Sequence, residues 1–162
     1  MRTILKISAV LSWFNLVVWG LFVTILLLSA LSFRSMAFVI FAFFLSAIVL
    51  HNYAALQLQK SIRNPAIKLS NHTPTGIRFV GFIALFLGVC YLANGFALLQ
   101  DPLGSLKLMQ TQAPEFFKTL PVADIRVGGT IALVLGLCIA VNVFLNFRLL
   151  RWYYLVKQSD IS

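Results

Sequence analysis

Charge is the scarcest property of this chain. Of its 162 residues only 10% are charged, and Asp and Glu together number four. A soluble domain of this length carries roughly a quarter of its residues charged, so a water-exposed globular fold is excluded. The shortage of acids excludes more. Proton- or cation-coupled exchange needs a carboxylate inside the membrane, and Asp101, Glu115, Asp124 and Asp160 all lie outside the long apolar runs. The two cysteines, Cys90 and Cys138, sit within apolar runs and make neither a disulfide framework nor a metal motif; they read as small buried hydrophobes. Of the two histidines, His72 falls in a polar loop, which leaves His51 without a partner for paired ligation of a haem. The sequence has no Cys-x-x-Cys, no Gly-x-Ser-x-Gly elbow and no His-Glu-x-x-His. Enzymatic function is therefore not expected, and neither is a metal or other cofactor.

What fills the chain instead is hydrocarbon. Sixty per cent of residues are hydrophobic and fifteen are Phe, with a mean hydropathy of +0.95. Four runs lack Asp, Glu, Lys and Arg or nearly so: 7–33, 35–59, 79–100 and 127–147. Each meets the requirement of about twenty residues to cross a core of about 30 Å. The runs are apolar all round, without the alternation of a barrel strand, so they are expected to be helices. The first run follows Arg2 and Lys6 as a signal peptide would, but it exceeds the about 7–15 apolar residues of such a segment and is expected to be a retained span. The fold class expected is an all-α membrane protein: a four-transmembrane-helix bundle of two hairpins, forming one domain over 1–162.

Thirteen Lys and Arg stand against the four acids. In a soluble chain that excess would point to nucleic acid; here the basic residues flank apolar runs, where they set topology and meet anionic lipid, and no nucleic-acid partner is expected. Arg2 and Lys6 precede the first run, and Lys60, Arg63, Lys68 and Arg78 lie between the second and third. Arg148, Arg151 and Lys157 follow the fourth, with Asp160. On the other side, Lys107, Lys118 and Arg126 cancel Asp101, Glu115 and Asp124, leaving Arg34 in a tight turn. The positive-inside rule places both termini, the loop 60–78 and the tail 148–162 in the cytoplasm, with 101–126 outside. Lys60, Arg63, Lys68, Arg78, Arg148 and Arg151 are expected to touch lipid head groups, and Trp152, Tyr153 and Tyr154 to form an aromatic belt. A bacterial inner (plasma) membrane suits the compact loops.

Local signals mark several boundaries. Pro65 should end the second helix by forcing Asn64 out of the α region, and Thr73-Pro74 should start the third. Asn71-His72-Thr73 matches a glycosylation sequon but falls on the cytoplasmic side, where it is fortuitous. The outer loop should open with a turn at 102–104 and carry a short interfacial helix around Pro114–Lys118.

Two constellations remain. Gly81, Gly88 and Gly95 repeat at seven residues in the third run, and Gly129 and Gly136 in the fourth. Such a stripe lets two helix backbones approach in lipid, where no hydrophobic force drives association. The second constellation is polar: Asn15, His51, Asn52 and Asn142 fall at comparable depth and form a candidate polar pocket, against the plainer reading of interhelical hydrogen bonds. Asn94 and Asn146 are further intramembrane amides. The function expected is that of a structural or interaction subunit binding lipid or a protein partner. The expected partners are membrane lipids and either further copies of the chain or another membrane protein. The alternative is an oligomeric channel or uncoupled transporter with a pore lined by amides and hydroxyls.

Overall fold

The computed structural model describes residues 2–64, 66–70, 72–112 and 117–159, with backbone alone at residues 2 and 157–159. Among these residues there are five helices and no strand: α1 (Arg2–Phe33), α2 (Met36–Arg63), α3 (Thr73–Gln100), α4 (Pro102–Gln112) and α5 (Val122–Ser159). Four of them, α1, α2, α3 and α5, are long and apolar enough to cross a membrane. The protein is an integral membrane protein of helical type.

The helix ends follow from local chemistry. Arg34 takes a positive φ of 49° between α1 and α2, and the next N–H, of Ser35, donates back to the Ala30 carbonyl at 3.2 Å. This left-handed C-terminal closure satisfies a carbonyl that the last turn would otherwise leave open. α2 stops at Arg63 because Asn64 is extended (φ −129°, ψ 96°), as a residue before proline must be; Pro65 itself lies outside the described residues, as does Asn71. The Ser61 hydroxyl donates to the Ile67 carbonyl at 2.8 Å, tying the following loop to the helix. α3 begins at Thr73.

One boundary differs from the sequence expectation. The turn expected at 102–104 is the first turn of α4: Pro102 supplies a helical φ at the first position, and the Asp101 carboxylate accepts from the Gly104 N–H at 2.9 Å. Asp-Pro reads the same at a turn and at a helix start, so spacing alone did not separate them. Of the short helix expected around Pro114–Lys118, residues 114–116 lie outside the described residues. α5 runs 38 residues, about 57 Å at 1.5 Å per residue, because no glycine or proline follows Gly136. The helix continues past Arg148, where charge returns to the sequence.

The chain packs as two compact units. The first comprises Met1–Phe86 and Ile139–Ser162, and its helices are inverted in polarity. On α1, Ser8, Ser12, Asn15 and Trp19 are fully buried, while Val10, Trp13, Val17 and Leu21 are exposed. Spacings of four, three and four put the buried residues on one stripe. Large hydrophobics facing outward around a polar stripe are what lipid as solvent selects. At one end of this unit, Leu58, Ile77, Leu149 and Leu150 close an apolar core against Leu5, Ile62 and Phe147.

The second unit is Leu87–Cys138. Here α3 and α5 meet backbone to backbone. A methyl group placed on Gly95 would lie 2.7 Å from the Gly129 carbonyl oxygen and 2.7 Å from the Leu133 nitrogen; one on Gly136 would lie 2.8 Å from the Gly88 carbonyl oxygen. No other residue type fits at those contacts without separating the helices. Cys90 and Cys138 are half-buried and not joined in a disulfide, less enclosed than the sequence suggested.

Candidate functional site

The buried polar residues of the first unit come from three helices and bond to one another. α1 contributes Ser8 and Ser12, one turn apart. α2 contributes Asn52 and Gln59, two turns apart. α5 contributes Asn142 and Asn146, again one turn apart. The Ser8 hydroxyl donates to Asn146 Oδ1 at 2.8 Å, and the Ser12 hydroxyl to Asn142 Oδ1 at 3.2 Å. Because both hydroxyl protons are committed to α5, their lone pairs face α2, and the Gln59 amide N–H groups fill them at 2.9 and 3.2 Å. Gln59 Nε2 also reaches Asn146 Oδ1 at 3.0 Å. Asn142 Nδ2 donates to Asn52 Oδ1 at 2.5 Å, and Asn52 Nδ2 closes the chain on the Ile48 carbonyl at 2.6 Å. Asn146 Nδ2 returns to the carbonyl and the side-chain oxygen of Asn142 at 2.9 and 3.1 Å.

All six side chains are at most 2% exposed. The network is neutral and buried, with hydroxyls and amides acting at once as donors and acceptors. Its one buried atom without a partner among the described residues is Gln59 Oε1, the consequence of turning the Gln59 amine toward both serines.

The chain shows no significant match to a protein-family model, a curated protein or a solved structure. Its function must therefore be argued from its own side chains.

Of the four residues placed in a candidate pocket from sequence, Asn52 and Asn142 bond directly. Asn15 is buried on the α1 stripe next to Ser12. His51 is buried one position before Asn52 but faces another way: it meets the Phe147 ring edge-on at 6.3 Å, and a methyl on Gly81 would come within 3.0 Å of it. Neither ring nitrogen makes a hydrogen bond of normal geometry among the described residues, and the Ile77 backbone supplies a weaker polar contact. Gly81 thus gives room for the His51 and Phe147 rings, a role unlike that of Gly95 and Gly136. Sequence reading missed Ser8, Ser12 and Gln59 altogether, and left Asn146 out of the pocket. The signal was present as periodicity: Ser8-Ser12-Asn15 at helical spacing, Asn142-Asn146 at i, i+4, and Asn52-Gln59 at i, i+7. Together they make a polar stripe, which the composition of the runs had hidden.

A second feature lies where the first turns of α3 meet the last turns of α5. Arg78, Phe82, Phe147, Leu150, Arg151, Tyr154 and Leu155 line an open groove of about 650 Å³. The Arg78 guanidinium lies over the Tyr154 ring, 5.6 Å from its centre, and the Phe82 and Phe147 rings are 5.4 Å apart. Among the described residues no acidic side chain lines the groove. The other basic residues expected at head groups, Lys60, Arg63, Lys68 and Arg148, are all exposed. Lys60 and Arg63 stand in the last turn of α2, where positive charge also complements the helix dipole.

Proposed function

We propose that this protein is a non-enzymatic, multi-pass membrane subunit that works by binding lipid or a protein partner, and not by conducting solutes. The observation that carries the reading is the buried network on α1, α2 and α5, in which every side-chain polar atom but Gln59 Oε1 has a partner within the network or on its own helix. A pore or substrate pocket needs polar groups turned toward a water-filled space; these are turned toward each other, and each costs several kcal/mol to expose to lipid unpaired. The network therefore serves to fix helix register in a solvent that cannot. In this reading both termini and the loop 60–78 face the cytoplasm of a bacterial inner membrane, in line with the basic residues at Lys60, Arg63, Lys68, Arg78, Arg148 and Arg151. The outer connection carries α4, whose exposed Leu103 and Leu108 make it an interfacial anchor.

Purification in a mild detergent, followed by native mass measurement and reconstitution into liposomes, tests the proposal. The expected result is a species of defined mass carrying lipid or a second subunit, with no ion or small-solute flux above protein-free liposomes. Flux that falls when Asn142 or Asn146 is replaced by leucine would establish the channel alternative instead.

A further inference from the structure

We infer that the groove between α3 and α5 is a binding site for one anionic glycerophospholipid. Its phosphate would sit between Arg78 and Arg151, and an acyl chain would lie on Phe82 and Phe147. The inference rests on the reading of the protein as a lipid- or protein-binding subunit and deepens it.

The polarity of the groove changes in step along two antiparallel helices. On α3 the chain runs from Arg78 to Phe82, one turn inward; on α5 it runs from Phe147 to Arg151, one turn outward. The two phenyl rings are neighbours at 5.4 Å, so the two guanidinium groups stand at the same end of the groove. One end is thus cationic and the other hydrocarbon, separated by about 6 Å, one turn of helix. A phospholipid has the same division over the same length. Arg78 is held by the Tyr154 face and is thereby ordered before a ligand arrives, which lowers the entropic cost of gripping a phosphate. Two guanidinium groups can offer paired N–H donors to phosphate oxygens, a geometry that lysine does not provide. The charge favours an anion, because among the described residues no carboxylate lines the groove to neutralise it. A zwitterionic lipid would bring a cation to the same place.

Native mass spectrometry of the full chain in dodecyl maltoside tests the site, with phosphatidylglycerol, phosphatidylcholine or inorganic phosphate added in turn. The wild type should retain one phosphatidylglycerol, at least tenfold more than phosphatidylcholine. Arg78→Gln/Arg151→Gln should lower that retention at least tenfold, while Lys107→Gln/Lys118→Gln, at two exposed cations away from the groove, leaves it unchanged. Both arginines are exposed, so the double variant should unfold within a few degrees of wild type, which separates loss of a site from loss of fold. Equal retention of both lipids, or undiminished phosphatidylglycerol on the double variant, overturns the inference. Saturation by inorganic phosphate with the same arginine dependence but no lipid retention overturns it too, and marks a soluble-anion site. None of these outcomes touches the broader reading, which fails on liposome flux.

Discussion

Gly95→Ala is expected to loosen the α3–α5 contact and lower stability by about 1–3 kcal/mol, the usual cost of forcing atoms into a filled site. The added methyl would stand 2.7 Å from a backbone carbonyl oxygen and 2.7 Å from a backbone nitrogen. Neither can turn aside as a side-chain tip could, so the helices themselves must part. In lipid nothing restores such a contact, since apolar side chains gain no hydrophobic free energy by leaving lipid for each other. Gly136→Ala should behave alike, because its methyl meets the Gly88 carbonyl oxygen at 2.8 Å. The internal control is Gly128→Ala: nothing lies within 4 Å of a methyl there, so only the helix-propensity gain of up to about 1 kcal/mol remains. Unfolding by a denaturing detergent should order the three variants with Gly128→Ala at or above wild type and the other two clearly below it. Gly95→Ala unfolding together with Gly128→Ala would remove the close approach from the account.

Asn146→Leu is the second large effect. Asn146 accepts from Ser8 and Gln59 and donates twice to Asn142, so it joins all three helices. Each interhelical bond in a membrane contributes about 0.6 kcal/mol on average, but the deletion also leaves the Ser8 hydroxyl buried without an acceptor, which costs about 1–3 kcal/mol more. A loss of about 2–4 kcal/mol is expected on these figures. Asn94→Leu makes the contrast. Asn94 is exposed and bonds only to the Cys90 carbonyl one turn back in its own helix, so its replacement should be neutral or mildly stabilising. In a double-mutant cycle, Ser8→Ala added to Asn146→Leu should cost little further, because the orphaned hydroxyl disappears with it. Strict additivity of Ser8→Ala and Asn146→Leu would mean that the two do not share a bond.

The four spans were legible because a bilayer sets a length and forbids charge, and both constraints can be counted in sequence. Asn64 before Pro65 and Thr73 before Pro74 were legible for a similar reason: proline restricts its neighbour whatever the fold. Asp101-Pro102 was misread as a turn, since the same pair opens both turns and helices. The continuation of α5 past Arg148 was not stated by the charge pattern, which marks the end of an apolar run and not the end of a helix; nothing after Gly136 breaks the helix. The polar site was only half legible. Asparagines in an apolar run stand out by residue type, so Asn52 and Asn142 were found. Serines do not, being common and cheap in membrane helices, and Gln59 looked like the end of a span. Their significance came from which helices stand together, which a single sequence does not state. The same holds for Arg78 and Arg151. They were readable as head-group contacts one by one, but 73 residues apart in sequence nothing marked them as two walls of one groove.

The central claim is that the amide–hydroxyl network is dry. Thiol accessibility at Ser12→Cys tests it directly, in intact membranes and in a background with Cys90 and Cys138 changed to alanine. Ser12 is fully buried and bonded to both Asn142 and Gln59. A small, charged, membrane-impermeant thiol reagent should leave Ser12→Cys unmodified over a time in which it fully labels Arg151→Cys, presented from either side. Labelling of Ser12→Cys at a rate approaching that of Arg151→Cys would show water at the network. It would contradict the reading of this protein as a sealed, interaction-type membrane subunit.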